Sequence, residues 1–487
     1  MINPLIFRAY DIRGIAIADK STPADLTPET IKLIGQSTGT YMRRTYNTKN
    51  MMVGRDNRLH SPELQKAFID GVLSTGVDVI DVGLSTSPLL YYAVCKFGID
   101  SGVNITASHN PKEYNGVKII GKNAHSVCGD ELQKILEFIQ KNDFETGSGK
   151  LNTKDDNFKT YINEITQRIK LSRPLKVVVD AGNGTAGKFA PELLRAIGCE
   201  VIELYCELDG NYPNHEANPE EEKNMRDLGQ AVKKNRADLG IGFDGDGDRV
   251  GIVDEKGKHY SADYLLLLLA TDLLQHEPKS QVIFDVKVSK ILIDEITRLG
   301  GIPIMSKTGH SFIEARMHEL NAPLGGEISG HMFFGKPYYD YYGFDDAFFA
   351  ACKILEILAK QTGKQVEPNL ESDSQQKPQG FSELFKHLPH LETTPEFKAH
   401  CPDDKKFKIV REVTDHFTRT HQCITIDGVR INFEEKAWGA IRCSNTSPNL
   451  TLRFEAENKE KLQKIQDMMV EVLKKYPEVD LSWYHAS

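Results

Sequence analysis

Residues 239–255 read LGIGFDGDGDRVGIVDE. Two short apolar runs, 239–243 and 250–253, bracket a hexapeptide in which Asp244, Asp246 and Asp248 stand at every second position. Apolar runs without a polar face read as strands buried on both sides, as in sheets covered by helices. Three carboxylates this close repel one another unless a cation lies among them, and hard oxygen ligands select Mg²⁺ or Ca²⁺. In an extended segment the three would point to opposite faces. In a tight loop, with Gly245 and Gly247 free to take unusual dihedrals, all three can turn toward one centre.

The same rhythm extends outward from this stretch: a β-branched run, a polar turn, then a helical segment, in three approximate copies. The first copy has its strands at 51–56, 77–83 and 101–106, the second at 175–182, 199–204 and 237–244, the third at 281–287, 301–306 and 322–327. Between them lie amphipathic stretches such as SPELQKAFIDGVLSTG (61–76) and FAPELLRAIG (189–198). The pattern predicts parallel pairing in βαβ units, with ligands bound at the carboxyl ends of the strands. Each copy should therefore present its third-strand loop, TASHNP, DGDGDR or GEISGH, to a cleft.

Bulk properties narrow the function. At 487 residues the chain exceeds a single core and should form three or four domains. Its 69 acidic and 60 basic residues, net charge −9, argue against a nucleic-acid or anionic-membrane partner. Eight dispersed cysteines without a C-x-x-C pair fit a reducing compartment. MINPLIFRAYDIRG lacks the apolar core of a signal peptide, and YLLLLLA (264–270) is too short to span a bilayer and reads as a buried helix. These features predict a cytoplasmic protein. The polar stretch 362–380 reads as a flexible linker or insertion, and beyond it the runs 423–433, 438–443 and 450–456, with a helix over 459–476, predict an α+β unit.

Four loops carry chemistry. In NITASHNP (104–111), Ser108 follows an apolar strand beside His109 and Asn110, with Lys118 downstream, a setting for a nucleophile or phosphate carrier as well as for a plain turn. DGDGDR imitates a calcium loop, with Glu255 at the twelfth position, but Arg249 stands where that loop needs glycine, and the flanks read as strands. A cation on three aspartates beside Arg249 suits a phosphoryl group better. Glu327, Ser329, His310 and His331 offer donors and acceptors for sugar hydroxyls, while each histidine taken alone reads equally as a structural residue or as a group that moves protons. In IRCSNTSPNLTLRFE (441–455), Arg442, Ser444, Asn445 and Thr446 form a candidate phosphate cradle, or a hairpin turn. Gly182, Gly184 and Gly187 of DAGNGTAG match a dinucleotide fingerprint. That reading leaves the acidic triad, the serine loop and the arginine cradle without a task, so a tight strand-to-helix turn with close packing is preferred.

FRAYDIRG (7–14), TASHNPKEYNGVK (106–118), DGDGDR (244–249), GEISGH (326–331) and RCSNTSP (442–448) together resemble the signature loops of the α-D-phosphohexomutases, in particular the bacterial phosphomannomutase/phosphoglucomutase branch. The resemblance covers nearly the whole chain. It implies an α/β protein of three similar βαβ-type domains with mixed sheets and a C-terminal α+β domain of the TATA-box-binding-protein-like kind, around a central cleft. The boundaries read are 1–153, 154–257, 258–361, the linker 362–380, and 381–487.

It further implies Ser108 as phosphoserine, with Asp244, Asp246, Asp248 and a phosphoserine oxygen holding Mg²⁺. Glu327 and Ser329 would grip the sugar, and Arg442, Ser444, Asn445 and Thr446 the unreactive phosphate. Tyr10, Arg13, His109, Lys118, Arg249, Lys287, His310 and His331 would line the reacting centre, with Lys118 and His331 the two candidates for general base. The implied activity interconverts hexose 1- and 6-phosphates through glucose 1,6-bisphosphate or mannose 1,6-bisphosphate, in a monomer or dimer. A phosphoglucosamine mutase and a non-catalytic sugar-phosphate sensor are the alternatives. The 362–380 insertion is longer than the family pattern leads one to expect.

Overall fold

A computed structural model describes residues 2–18, 22–361, 380–444 and 447–485. The three sequence copies fold alike. In the first, the buried run Met51, Met52, Val53 lies in the strand Asn50–Arg55, which pairs in parallel with Asp78–Leu84 on one side and Ser101–Ile105 on the other. In the second, Lys176–Asp180 lies between Glu200–Leu204 and Leu239–Phe243, and in the third Gln281–Asp285 lies between Ile302–Ser306 and Leu324–Gly326, again all parallel.

Each copy adds a strand that the all-parallel pattern omits. Tyr114–Ile120, Val250–Asp254 and Met332–Phe334 each return antiparallel to the third strand of their copy, so the sheets are mixed. Only the second return strand is plain in the sequence. The first carries the buried polar residues Asn115 and Lys118, and the third is three residues long, so neither shows a clear apolar run. Ile12–Ile15 and Leu151–Thr153 extend the first sheet at its edges.

The helices follow from local signals. Ser61–Leu73 opens with Pro62 and Glu63 in its first turn and buries Leu64, Phe68, Ile69 and Val72 at helical spacing. The greasy run at 264–270 lies inside the helix Ala262–His276, buried along Leu265–Leu269. It shares one apolar cluster with Ile241 and Ile252 of the second sheet and Leu324 of the third. A further buried helix, Ala347–Lys360, joins the same cluster and is capped by Asp346, whose carboxylate also accepts from Tyr161 at 2.9 Å and Tyr341 at 2.6 Å. The second and third units therefore share a core. Among the described residues no helix is long and apolar enough to cross a membrane.

The C-terminal unit is an antiparallel sheet in the order Glu392–Thr393, Asn449–Ala456, Ala437–Cys443, Val429–Glu434, Gln422–Ile424. The run 423–433, read from sequence as one strand, is a hairpin, because Gly428 at φ +66° reverses the chain after Ile424. Ile441, Leu452 and Phe454 pack with Ile409 and Val413 of the helix Asp403–Phe417 and with Ile465 and Met469 of Lys459–Leu473. Residues 362–379 of the expected linker lie outside the described residues.

Candidate active site

The three repeat loops occupy equivalent places. Residues 106–113, 244–249 and 327–331 each connect the third strand of a copy to its antiparallel return strand. The common topology delivers one loop from each unit toward a shared centre.

Ser108 adopts φ +51°, an uncommon left-handed conformation for a residue with a Cβ. Its hydroxyl donates to Asp244 Oδ2 at 2.6 Å and lies 3.1 Å from His109 Nδ1. Asp244, Asp246 and Asp248 are fully buried and bring ligand oxygens within 4.8 Å of one another, so the triad can hold a metal ion. The roles of the two glycines differ. Gly247 takes φ +73°, whereas Gly245 serves close approach: a Cβ there would lie 2.3 Å from the Ser108 carbonyl oxygen.

The seat is wired from below by residues the sequence reading missed. Ser87 Oγ donates to Asp246 Oδ2 at 2.6 Å and receives a hydrogen bond from Asn104 Nδ2 at 3.1 Å. Ser87 is an ordinary serine at a helix start and Asn104 an ordinary asparagine in a strand, so only the fold reveals them. Lys118 Nζ donates to Asp246 at 2.8 Å and also to Asp248, rather than reaching Ser108. Burial pushes all three carboxyls up. Lys118 draws Asp246 and Asp248 back below the ordinary range, while Asp244, crowded by its neighbours, stays well above it. Burial works against the Lys118 ammonium, but Asp246 and Asp248 overcome it and raise that group well above its usual value.

Around the seat, Arg13 donates to Asp11 at 2.7 Å, to the Ala107 carbonyl at 3.1 Å and to Asn110 Oδ1 at 2.5 Å. Tyr10 donates to the Thr308 carbonyl at 2.7 Å and stands edge-on to His310. His331 Nδ1 lies 3.3 Å from Glu327 Oε2, and its Nε2 lies 3.2 Å from Asp248 Oδ1 and 3.3 Å from Arg249 Nε. Burial, reinforced by nearby cations, holds His109 and His331 well below the usual imidazole value and His310 at about 4. Glu327, pushed up to about 7 by burial and by Asp285, accepts from the Gly309 amide at 2.6 Å. Ser329 Oγ is buried with no partner among the described residues.

Farther along, the cations rest on carboxylates. Lys287 meets Glu396, Arg249 meets Glu220 at 3.5 Å, and Arg442 Nε donates to Asp427 at 2.6 Å. Arg442 Nη2 remains buried without a partner among the described residues. Lys406 holds the following loop through the carbonyls of Ser444 at 2.6 Å and Ser447 at 3.0 Å. Asn445 and Thr446 lie outside the described residues. The turn at Gly182, Gly184 and Gly187 is a packing element: a Cβ on Gly184 would lie 2.9 Å from Gly245 Cα, and one on Gly187 2.2 Å from the Cys206 carbonyl oxygen.

Known proteins align with this arrangement from end to end. Models of phosphoglucomutase/phosphomannomutase alpha/beta/alpha domains I, II and III match residues 4–146, 159–257 and 261–376, and the C-terminal domain model matches 396–472. A phosphomannomutase/phosphoglucomutase of Pseudomonas aeruginosa is 42% identical over 96% of this chain and 95% of its own. A phosphoglucomutase of Neisseria meningitidis is 38% identical over 98% of each. The crystal structure of a phosphoglucomutase/phosphomannomutase family protein from Burkholderia thailandensis superposes with a TM-score of 0.85, at 38% identity and 98% coverage of both chains. With all four domain models matched in chain order and relatives 38–42% identical over nearly its full length, the chain belongs to the phosphoglucomutase/phosphomannomutase family, the α-D-phosphohexomutases.

Proposed function

We propose that this isomerase interconverts hexose 1- and 6-phosphates by passing a phosphoryl group through Ser108. The observation that carries the reading is the 2.6 Å hydrogen bond between the Ser108 hydroxyl and Asp244 of the buried triad, which supports Ser108 Oγ as a carrier oxygen beside a candidate cation seat. Asp244, Asp246 and Asp248 would hold Mg²⁺. The fit is supported by their all-oxygen donor set and by Asp246 Oδ1, buried without a hydrogen-bond partner among the described residues. Bound there, the ion would neutralise charge on the phosphoryl group.

The chain's own residues do the rest. Glu327 and Ser329 orient the sugar, and Arg442 with Ser444, Asn445 and Thr446 hold the phosphate that does not react. Lys118, an ammonium salt-bridged by two aspartates, contributes charge rather than a lone pair. That leaves His331, steadied at Nδ1 by Glu327, to take the proton of the attacking sugar hydroxyl. The new P–O bond forms as the bond to Ser108 Oγ breaks, giving a hexose 1,6-bisphosphate. After the bisphosphate turns end over end, its other phosphate returns to Ser108. Arg13, Arg249, His109, His310, Tyr10 and Lys287 line this centre, and the cations among them stabilise the transferring group. Dispersed, unpaired cysteines support a cytoplasmic setting.

The test is ³¹P NMR with Mg²⁺, a trace of glucose 1,6-bisphosphate, and mannose 1-phosphate or glucose 1-phosphate in turn. A 6-phosphate resonance should grow in with the parent protein and not with Ser108→Ala. Unchanged spectra with both sugars would overturn the reading.

A further inference from the structure

The turn that precedes the helix Ser61–Leu73 contains an arginine the mechanism does not use. Arg58 is 1% exposed, and all five of its N–H donors find acceptors. Nε donates to Asp56 Oδ2 at 3.1 Å. One terminal nitrogen donates to the carbonyls of Pro111 at 2.7 Å and Tyr114 at 3.1 Å, and the other to those of Ser108 at 2.9 Å and Asn110 at 2.6 Å. Four carbonyls of the serine loop thus converge on one guanidinium. Asp56 is in turn fixed by the Ile105 carbonyl, 3.0 Å from its amide, and by the Ser61 hydroxyl.

The same turn grips the second unit. The Asn57 amide donates to Thr185 Oγ1 at 3.1 Å and its side chain to the Asn183 carbonyl at 2.8 Å, while the Thr185 amide donates to the Gly245 carbonyl at 3.0 Å. Two adjacent residues therefore tie the serine loop, the glycine turn and the metal loop into one network. The Ser108 carbonyl is caught between Arg58 and the bare face of Gly245. That trapping gives a reason for φ +51° at Ser108, a conformation uncommon for a serine.

We propose that Arg58 is a positioning residue for phosphoryl transfer: by holding the Ser108, Asn110, Pro111 and Tyr114 carbonyls it stores the left-handed turn that aims Ser108 Oγ at Asp244, while Asn57 keeps that turn in register with the metal loop. Lysine could not replace it, because three donors on a point charge cannot serve five acceptors in a planar fork. The inference rests on Ser108 as the phosphoryl carrier.

The experiment mixes glucose 1,6-bisphosphate and Mg²⁺ with the parent, Arg58→Met and the charge-balanced double variant Asp56→Asn/Arg58→Met, and follows phosphate on Ser108 by mass spectrometry alongside kcat, KM and melting temperature. Phosphorylation of Ser108 and kcat should fall about 10²-fold, the scale of a misplacement of roughly 1 Å, with KM for hexose phosphate within about twofold. A folded variant that phosphorylates Ser108 at the parent rate, or one that loses only KM, overturns the assignment. Should neither methionine variant fold, Asn57→Ala, which removes the side-chain bonds to Asn183 and Thr185 and keeps the backbone one, should slow Ser108 phosphorylation about tenfold at constant KM, and an unchanged rate there overturns it equally. Absence of phosphate on Ser108 in the parent would overturn the carrier reading itself, whereas equal labelling of parent and variants removes only Arg58's role.

Discussion

Ser108 Oγ donates to Asp244 Oδ2 across 2.6 Å of space and 136 positions of sequence. The serine belongs to the first unit and the aspartate to the second, so the proposed carrier and the candidate cation seat come together only when the two units dock. Ser108→Ala should abolish turnover, by at least about 10³-fold, while leaving Mg²⁺ affinity within about tenfold, since the three carboxylates remain. Coupled product assays and calorimetric Mg²⁺ titration read the two effects separately. Residual turnover near the parent rate would exclude Ser108 as the carrier.

Three carboxyl groups share a dry site with the Lys118 ammonium, and burial with Asp248 and Asp246 alongside holds Asp244 well above its ordinary value. Chelation should remove activity and Mg²⁺ should restore it. At about 100 times its Kd the ion should add about 2.7 kcal/mol of stability, visible as a rise of several degrees in Tm. Asp246→Asn should lose most of that rise. An equal Mg²⁺-dependent rise in parent and variant would place the ion elsewhere.

Arg442 reaches Asp427 with Nε, and the Thr308 amide reaches the same carboxylate at 3.0 Å, which joins the C-terminal unit to the third one. On the proposed function, the buried Nη2, unpartnered among the described residues, is the atom that would meet the phosphate. Arg442→Ala should raise KM about 10–100-fold, the value of one to two charge-assisted hydrogen bonds, with a smaller change in kcat. Arg442→Lys should fall between. Steady-state kinetics on both sugar phosphates would show it, and an unaltered KM would move the phosphate site away from this loop.

Glu314 sits where the first and third units meet, buried and bonded by Ser126 Oγ, with His125 and His318 nearby. Burial pushes its carboxyl up to about 7 from an ordinary 4.5. A raised folded-state value means that the folded protein binds the proton more tightly than the unfolded chain. The associated stability is therefore complete below about pH 4.5 and is lost as pH rises through about 7. The loss should reach at most about 3 kcal/mol. Thermal melts from pH 5 to 8 should show this decline in the parent and a flatter profile in Glu314→Gln. Parallel profiles would rule Glu314 out as its source.

Much of the architecture was legible in the chain. The β-branched runs at 51–56, 175–182 and 281–287 became the central strands of the three sheets because they are apolar on both faces and have only one way to hide both. The acidic triad was equally legible, since alternating carboxylates between buried strands have no solvated role. Residues that matter through long-range bonds were not. Ser87, Asn104, Asp427 and Arg58 carry no local pattern, and each acts on a partner from a distant segment or another unit.

The hairpin at Gly428 shows the limit of periodicity in a single element. Its flanks share one β-branched composition, and only a positive φ at one glycine turns them into two strands. The sequence by itself determined the elements, their threefold repetition and the residue types at each loop, because burial and backbone preference are local and act on every residue in turn. The tertiary structure alone decided that three loops from three copies meet, that Ser108 is held left-handed against Gly245, and which carboxylate answers each buried cation. Those outcomes depend on packing between units, where a charge or a carbonyl finds its partner only after the chain has closed around it.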